Sequence, residues 1–563
     1  MKKKLTLSLL IVLAFSFCFF TLANSAEKPQ YGGTIKIVTV YPTLNALSWD
    51  PFDWNWKNNH DVSLYMEHLL VGDLQKGPRG TNEYPFVADA YIPPQFIKGE
   101  LAESWKIQNN PLAIVFKIRK GVYWQEKKGV MKAREFTADD VVYAMERLRS
   151  SPKTIPTYLS FIDHWEVKDK YTAVCYLKEF NANWQYRFAW GYYNSIAPKE
   201  MVEAGPKDWR NACGTGPYMI TKYVKGVSQT YTKNKKYWGK TVVDGKEYRL
   251  PFADKVIYYI IKDESTRLAA LRTAKIDVME AVSWKYVDTL KEKAPKLKVS
   301  KWLDTAGTFM AMRLDTKPFG DIRVRRALNL AVNQQEIIDS FYKGNAELLN
   351  YPFATTWAGL YEPLEKHPDS IKELFSYNPE KAKKLLAEAG YPNGFTFEAM
   401  ASASSQEGLD LASMVSAYFK QVGVTCNIKP LEYGAFLSSM TKKKHSPGYF
   451  LHSGHTNPFA VLRKNFLTNQ TWNPSMFNDK WFNETWKAAL ANVNLDEQTV
   501  ALKKLNEYVL EQTPYVWLPS PNIYTYWWPW IKNYYGEIRV GAVRPGPIYA
   551  RMWVDQKLKK KMK

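Results

Sequence analysis

The 563-residue chain lacks most of the signatures that announce catalysis. It contains no G-x-S-x-G, so it builds no nucleophile elbow, and no H-E-x-x-H. "GTGPYM" at 214–219 imitates a dinucleotide loop, but Met219 stands where the third glycine belongs. "GKT" at 239–241 imitates the end of a phosphate loop, with Asn234 in place of its first glycine. Cysteine is scarce, limited to Cys18, Cys175, Cys213 and Cys426 with no C-x-x-C. With Cys18 set aside, that leaves one disulfide plus an odd thiol, or three buried thiols. There is one long apolar run, Leu5 to Leu22, and no second of membrane length. No internal repeat or low-complexity linker occurs. Acid is missing locally too, since neither Asp nor Glu occurs between Glu432 and Asp479.

What is present begins with a leader. Lys2, Lys3 and Lys4 precede the apolar run, and "LANSA" supplies small residues near Ala23 to Ala26. This pattern predicts a signal peptide over residues 1–26, and Phe17 before Cys18 argues against lipidation. The expected product is a soluble exported protein. About 537 residues remain, too many for one core, which predicts two or three domains. Hydrophobic residues at 46% and aromatics at 15% exclude a disordered chain. Removing the three leader lysines takes the formal charge from +22 to +19. Nucleic acid is nevertheless not an expected partner, because the cations are dispersed and the clusters "TKKKH" (441–445) and "KLKKKMK" (557–563) are short.

Local patterns divide the chain by rhythm. "YGGTIKIVTVYP" reads as a buried strand, and strand-like segments fill 102–118, with "AIVFKIR" the clearest. "FTADDVVYAMERLRS" reads as a helix with Thr137 and Asp140 in a capping box, which favours capping over acid–base work for Asp139 and Asp140. Residues 165–177 read as strand–turn–strand. From residue 321 the pattern alternates. One long helix, "DIRVRRALNLAVNQQEIIDSFY", is followed by a second with Asn378 as N-cap, Pro379 at its first turn and Gly390 past its end. Then come strand "FTFEAM", a helix over 407–422 stopped by Gly423, strand "VTCNIKPL" and a helix from Tyr433. That alternation predicts a mostly parallel sheet covered on both faces. Short aromatic strands are expected from Tyr515 to Trp553.

Taken in order, several segments resemble one family. They are "LAESWKI", "FTADDVVYAMERL", "CGTGPYMI" with "NKKYWG", "PFGDIRVRRALNLAVNQQEII", "YNPEKAKKLLAEAGYPNGF" and "LEYGAF". Together they resemble the family 5 extracellular solute-binding proteins, the dipeptide, oligopeptide and nickel type that feed ABC importers. The resemblance implies an α/β, bilobed periplasmic-binding-protein-like fold, type II with an extra subdomain, its mixed or parallel sheets joined by a two-crossing hinge. Lobe I would span 27–302 with the subdomain at about 60–200, lobe II 303–519, and the chain would return to lobe I over 520–563. The crossings would fall near Val299–Thr308 and Val516–Ile523. A disulfide, if one exists, would then join Cys175 to Cys213, because Cys426 belongs to the other lobe. Gly214, Gly216 and Pro217 would shape a turn, and Trp105 and Trp238 would pack.

The implied function is a periplasmic, monomeric, non-enzymatic binding subunit without cofactor or metal. Its partners would be a small-molecule or oligopeptide ligand and the ABC permease subunits of the inner membrane. Tyr433 matches the family's ligand-side aromatic. Peptide-binding members carry a carboxylate in a Trp-x-x-Asp-Tyr-type loop before a proline, to pair with the peptide's α-ammonium group. Here that loop reads "FLHSGHTNP", with His452, Ser453, Gly454, His455 and Thr456 where the anion should be. A ligand ammonium closed in without an anion costs several kcal/mol. The cleft is therefore expected not to be built around a free peptide N-terminus. Tyr433, His452, Gly454, His455, Trp54, Trp56 and Trp357 are the candidate ligand residues. A peptide held by its backbone, a neutral or anionic polar molecule such as an oligosaccharide stacked on Trp54 and Trp56, and a metal chelate held by His452 or His455 compete as ligands. A periplasmic hydrolase, which would need a carboxylate pair facing the cleft, is the alternative of a different class.

Overall fold

The computed structural model describes residues 28–563 except 47, 156, 304–305 and 455–456. The expected signal peptide and His455 lie outside the described residues.

A large sheet has the order Lys298–Leu303, Ser520–Trp527, Val278–Ser283, Thr34–Val38, Lys255–Tyr259, Ser228–Lys233, Tyr218–Val224, and the two-residue strand Ala346–Glu347 pairs off this path with the start of Ser520–Trp527. Its central strand alternates as expected, with Ile35 and Ile37 fully buried and Thr34 and Lys36 half-buried. A second sheet runs Thr425–Leu431, Thr396–Ser402, Gly448–Ser453, Gly307–Met312, Tyr515–Leu518. A third, Ala102–Asn109, Leu112–Ile118, Thr172–Leu177, Ile162–Asp169, is antiparallel throughout and packs against the helix Ala138–Ser150. Both large sheets are mixed. In the second, Thr396–Ser402 pairs in parallel with both neighbours, whereas Gly307–Met312 pairs antiparallel with both of its own. The expectation of a mostly parallel sheet therefore holds for only half of it. The reason is topological, because the two remaining strands are the chain's passages to and from the large sheet.

Local signals set most elements. The Thr137 N–H donates to Asp140 Oδ2 at 3.0 Å, and Asp140 also takes the Trp124 indole N–H at 3.1 Å, so this carboxylate serves the helix start. Asn378 accepts from the Lys381 N–H at 3.0 Å, and Gly390, past the same helix, has φ +92°. A Cβ on Gly214 would lie 1.8 Å from the Tyr65 carbonyl oxygen, so "GTGP" is a close backbone crossing. Two readings are corrected. The segment 321–342 is not one helix, since Ile322–Ala331 ends where Val332 turns extended and a new turn starts with Asn333 capping the Glu336 N–H at 3.1 Å. The tail holds a helix, Gly546–Arg551, among its strands. Of the two cysteine alternatives, three buried thiols is the one observed: Cys175, Cys213 and Cys426 are free, and Cys213 lies 3.6 Å from the Met131 sulfur.

Candidate functional site

Two short connections join the two large sheets, and between them in sequence the two-residue strand Ala346–Glu347 pairs back on Ser520 and Pro521 beside the second. Leu303 ends a strand of the first sheet and Gly307 begins one of the second; Leu518 ends a strand of the second and Ser520 begins one of the first. Register places both crossings on one edge of each sheet. Thr308 pairs with Leu518 on one side and His452 on the other, next to the carboxyl end of Gly448–Ser453. Leu303 pairs with Asn522, and Ser283, the last residue of a parallel strand, with Ile523. The carboxyl edges of the two sheets therefore face each other across the hinge, the position where open α/β sheets bind ligands.

Tyr41 leaves the carboxyl end of Thr34–Val38 and meets Trp56 edge-on at 4.9 Å, with Trp56 39% exposed. The Tyr41 hydroxyl donates to Asp89 Oδ2 at 3.3 Å, and Asp89 pairs at 3.2 Å with Arg539, which also approaches Glu280 at 3.4 Å. This ring is therefore held from beneath by buried ion pairs. Trp54, with φ 52°, stacks on Tyr193 at 4.1 Å and meets Tyr158 edge-on at 5.1 Å. Tyr158 carries the Arg187 guanidinium over its face at 4.2 Å.

On the opposite lobe, Thr425–Leu431 runs into the helix Tyr433–Thr441. Glu432 accepts the N–H groups of Gly434 and Ala435 at 2.8 and 3.1 Å, which leaves Tyr433 53% exposed at the sheet edge. Two strands away His452 is exposed, its Nδ1 hydrogen-bonded to Thr308 Oγ1 at 3.0 Å. Gly454 packs so closely on Ala306 that a Cβ would approach the alanine methyl to 3.3 Å. Asn457 caps the helix Pro458–Phe466 through the Ala460 N–H at 2.9 Å. From that helix Lys464 donates to Ser453 Oγ at 3.4 Å and lies 4.2 Å from the Trp472 ring. Burial, with Arg463 beside it, lowers its pKa to about 8.

The candidates thus divide between two walls, Trp54 and Trp56 on one and Tyr433, His452 and Gly454 on the other. Trp357 presents no surface. It is fully buried, 5.3 Å from Tyr91 and 5.5 Å from Phe353, where it helps seal the boundary between the lobes. Beside it lies a cavity of about 330 Å³ lined from both lobes, by Tyr91, Gln185 and Tyr186 on one side and Leu360, Phe459 and Gln498 on the other. Near it the Ala182 N–H donates to the Leu490 carbonyl at 2.7 Å, and farther off Lys285 meets Glu407 at 2.9 Å. Among the described residues no three His, Cys, Asp or Glu are grouped to hold a metal, and no helix is long and apolar enough to cross a membrane. Burial drives the His60 and His445 pKa values to about 4, so both are neutral packing groups.

Residues 97–485 match the model of the bacterial extracellular solute-binding proteins, family 5 Middle. The chain belongs to this family. Heme-binding protein A of Haemophilus influenzae is 26% identical over 450 residues, 75% of this chain and 78% of the relative. A dipeptide-binding protein of Escherichia coli is 27% identical over 448 residues, 74% of this chain and 79% of the relative. Among solved structures, HbpA2 from Haemophilus parasuis superposes with a TM-score of 0.75 at 20% identity, covering 93% of this chain and all of that one. The periplasmic binding protein DppA from Helicobacter pylori, in complex with peptide STSA, does so with 0.69 at 24% identity, covering 94% and 99%. These likenesses establish the bilobed fold that the family resemblance implied.

Sequence reasoning missed Arg187, Arg463, Lys464, Tyr158 and Tyr193. The acid-free stretch that contains Arg463 and Lys464 was the available signal. Arg187, in "NWQYRF", carried none.

Proposed function

We propose that the protein is the periplasmic solute-binding subunit of an ABC importer of the peptide and nickel type, which captures a polar organic solute between its lobes and delivers it to the permease without turning it over. The observation that carries this reading is the facing of two carboxyl sheet edges at a two-strand hinge, within a family defined by solute binding. A hinge of two short crossings lets the lobes close as rigid bodies, and solute contacts made by both walls favour the closed form. Relatives named for heme and for dipeptides show that one fold serves chemically distant ligands. The absence of acid from the loop before Pro458 weighs against a solute held by its free amino group.

The test is direct. The protein purified from periplasm is denatured, and the released solute is identified by mass spectrometry and then titrated back. Thermal stabilisation, a smaller radius of gyration by solution scattering and recovery of the solute unchanged are the expected results. Conversion of the solute to a product would overturn the non-enzymatic reading, and a constant radius at saturation would overturn lobe closure.

A further inference from the structure

The lobe boundary holds cations that no acid answers. Arg187 lies on the short helix Trp184–Phe188 of the first lobe, and Arg463 on the helix Pro458–Phe466 of the second. Both helices border the same interlobe cavity, through Gln185 and Tyr186 on one and Pro458 and Phe459 on the other. Arg187 covers the face of Tyr158, and the charges acting on Arg463 are Arg187 together with Tyr158 and Tyr186. Lys464 follows Arg463 and feels its charge. None of these three cations forms an ion pair among the described residues. Arg463 donates from Nη1 to the neutral Gln470 amide oxygen at 2.9 Å, and Lys464 finds only Ser453 and the Trp472 ring. The Nε–H groups of Arg187 and Arg463 are both buried without a hydrogen-bond acceptor. The one acid lining the neighbouring cavity is Asp496, whose backbone N–H is capped by Asn494 and whose side chain is exposed.

Such an arrangement is expensive when closed and empty. Buried polar groups normally find partners, and bringing two guanidinium groups together across a hinge adds like-charge repulsion. Both costs reverse if an anion enters. A carboxylate accepts two parallel N–H bonds from a guanidinium, and one seated between Arg187 and Arg463 accepts from both lobes at once. Its binding energy would then be realised only in the closed form, the condition for a ligand to drive closure.

We propose that Arg187 and Arg463 form a split receptor for a carboxylate of the transported solute, with Lys464 as an auxiliary cation beside it. The inference rests on the importer-subunit reading and specifies the class of its solute as anionic. Trp54 and Tyr158, packed edge to face beside Arg187, offer that solute an aromatic flank.

The experiment compares sodium succinate with its uncharged counterpart succinamide as probes, at ionic strength held constant with sodium chloride, reading both melting temperature and radius of gyration. Wild-type protein should show saturable stabilisation and contraction with succinate and neither with succinamide. Arg187→Gln and Arg463→Gln should each raise the apparent Kd for succinate about tenfold or more. Arg463→Lys, which keeps the charge but loses the fork, should fall between. Arg210→Gln, an exposed arginine paired with Asp208 at 2.5 Å, should behave as wild type. Each variant is first required to show the wild-type far-ultraviolet dichroism, and Arg463→Lys keeps the comparison open if a glutamine variant fails to fold. No saturable succinate response up to about 50 mM in wild type, an equal response to succinamide, or unaltered affinity in both glutamine variants would overturn the proposal. The two readings fail separately. A neutral solute recovered from native protein and bound equally by Arg463→Gln would leave the importer reading standing and refute the anion receptor. Absence of any solute or closure would refute the importer reading itself.

Discussion

Replacing Arg544 by Met tests how the end of the chain is held in the first lobe. Arg544 donates from Nη1 to Glu100 Oε2 at 2.7 Å and from Nη2 to Glu100 Oε1 at 2.9 Å, a fork-to-fork pair across 444 positions of sequence. The side chains are 1% and 5% exposed. Without the guanidinium, Glu100 keeps the His68 N–H at 2.8 Å as its hydrogen bond and faces Glu67 in a buried site. Removing one member of a buried ion pair costs about 3–5 kcal/mol, because the survivor's charge is left uncompensated. Urea unfolding followed by tryptophan fluorescence should therefore show a deficit of that size at pH 8. The double variant Glu100→Gln with Arg544→Met should recover about half of the loss at pH 8, since no charge remains to be buried. A deficit below about 1 kcal/mol at pH 8, or no recovery in the double variant, would show that the pair does not hold the tail in this way.

Other expectations follow from the same reasoning. Burial, with Glu100 nearby, pushes the Glu67 carboxyl up to about 7, so its folded state holds the proton more tightly than the unfolded chain, and its contribution to stability declines as pH rises from the ordinary carboxylate range through 7. The Tyr237 hydroxyl and Trp238 indole donate to different Glu67 oxygens, each at 2.9 Å; Glu67→Gln keeps an oxygen for the indole and offers its amide N–H to the tyrosine hydroxyl, which can accept, and should stabilise by roughly 1–3 kcal/mol at pH 8 with little gain at pH 5, as melting curves at the two values would reveal. Gly214→Ala drives a methyl to 1.8 Å from the Tyr65 carbonyl oxygen, and a melting temperature unchanged from wild type would contradict so close a backbone crossing; a loss of at least about 2 kcal/mol is expected. His452→Ala should weaken binding of the co-purifying solute roughly threefold to tenfold, and Tyr433→Ala at least as much, by calorimetric titration; equal affinity in both would make this edge structural only.

Elements whose ends are written in adjacent residues were legible, as the helix from Pro379 shows with its own asparagine cap and a glycine beyond its end. The interruption after Ala331 was not. Asn329 donates its amide to the Tyr515 carbonyl at 3.0 Å and accepts the Trp517 N–H at 3.1 Å, which ties that turn to a strand almost two hundred residues away. A helical pattern in the sequence contains no trace of that partner. Aromatic content was ambiguous for a related reason. Trp56 and Trp357 look alike in sequence, yet one is 39% exposed at the sheet edge and the other fully buried at the lobe boundary. Hydrophobicity favours burial against anything apolar, core or ligand, so composition cannot separate the two.

The candidate site was legible through a deficit. A hinge-closing receptor must keep part of its boundary unsatisfied until the solute arrives, because groups already paired within the protein have nothing left to exchange for the ligand. A positive motif is therefore a poor marker of the recognising groups, whereas a run of sequence from which their natural partners are missing is a good one. The stretch between Glu432 and Asp479 is such a run, and it carries Arg463 and Lys464. Its counterpart, Arg187, could not be read from any local deficit, since acids occur on both sides of it in the chain. What isolates Arg187 is the three-dimensional setting, where Tyr158 covers one face of the guanidinium and the second lobe contributes another cation in place of a carboxylate. The hinge is what creates that setting, because it brings Arg187 and Arg463 near one another without an acid, whereas the buried Arg544 within one lobe is answered by Glu100.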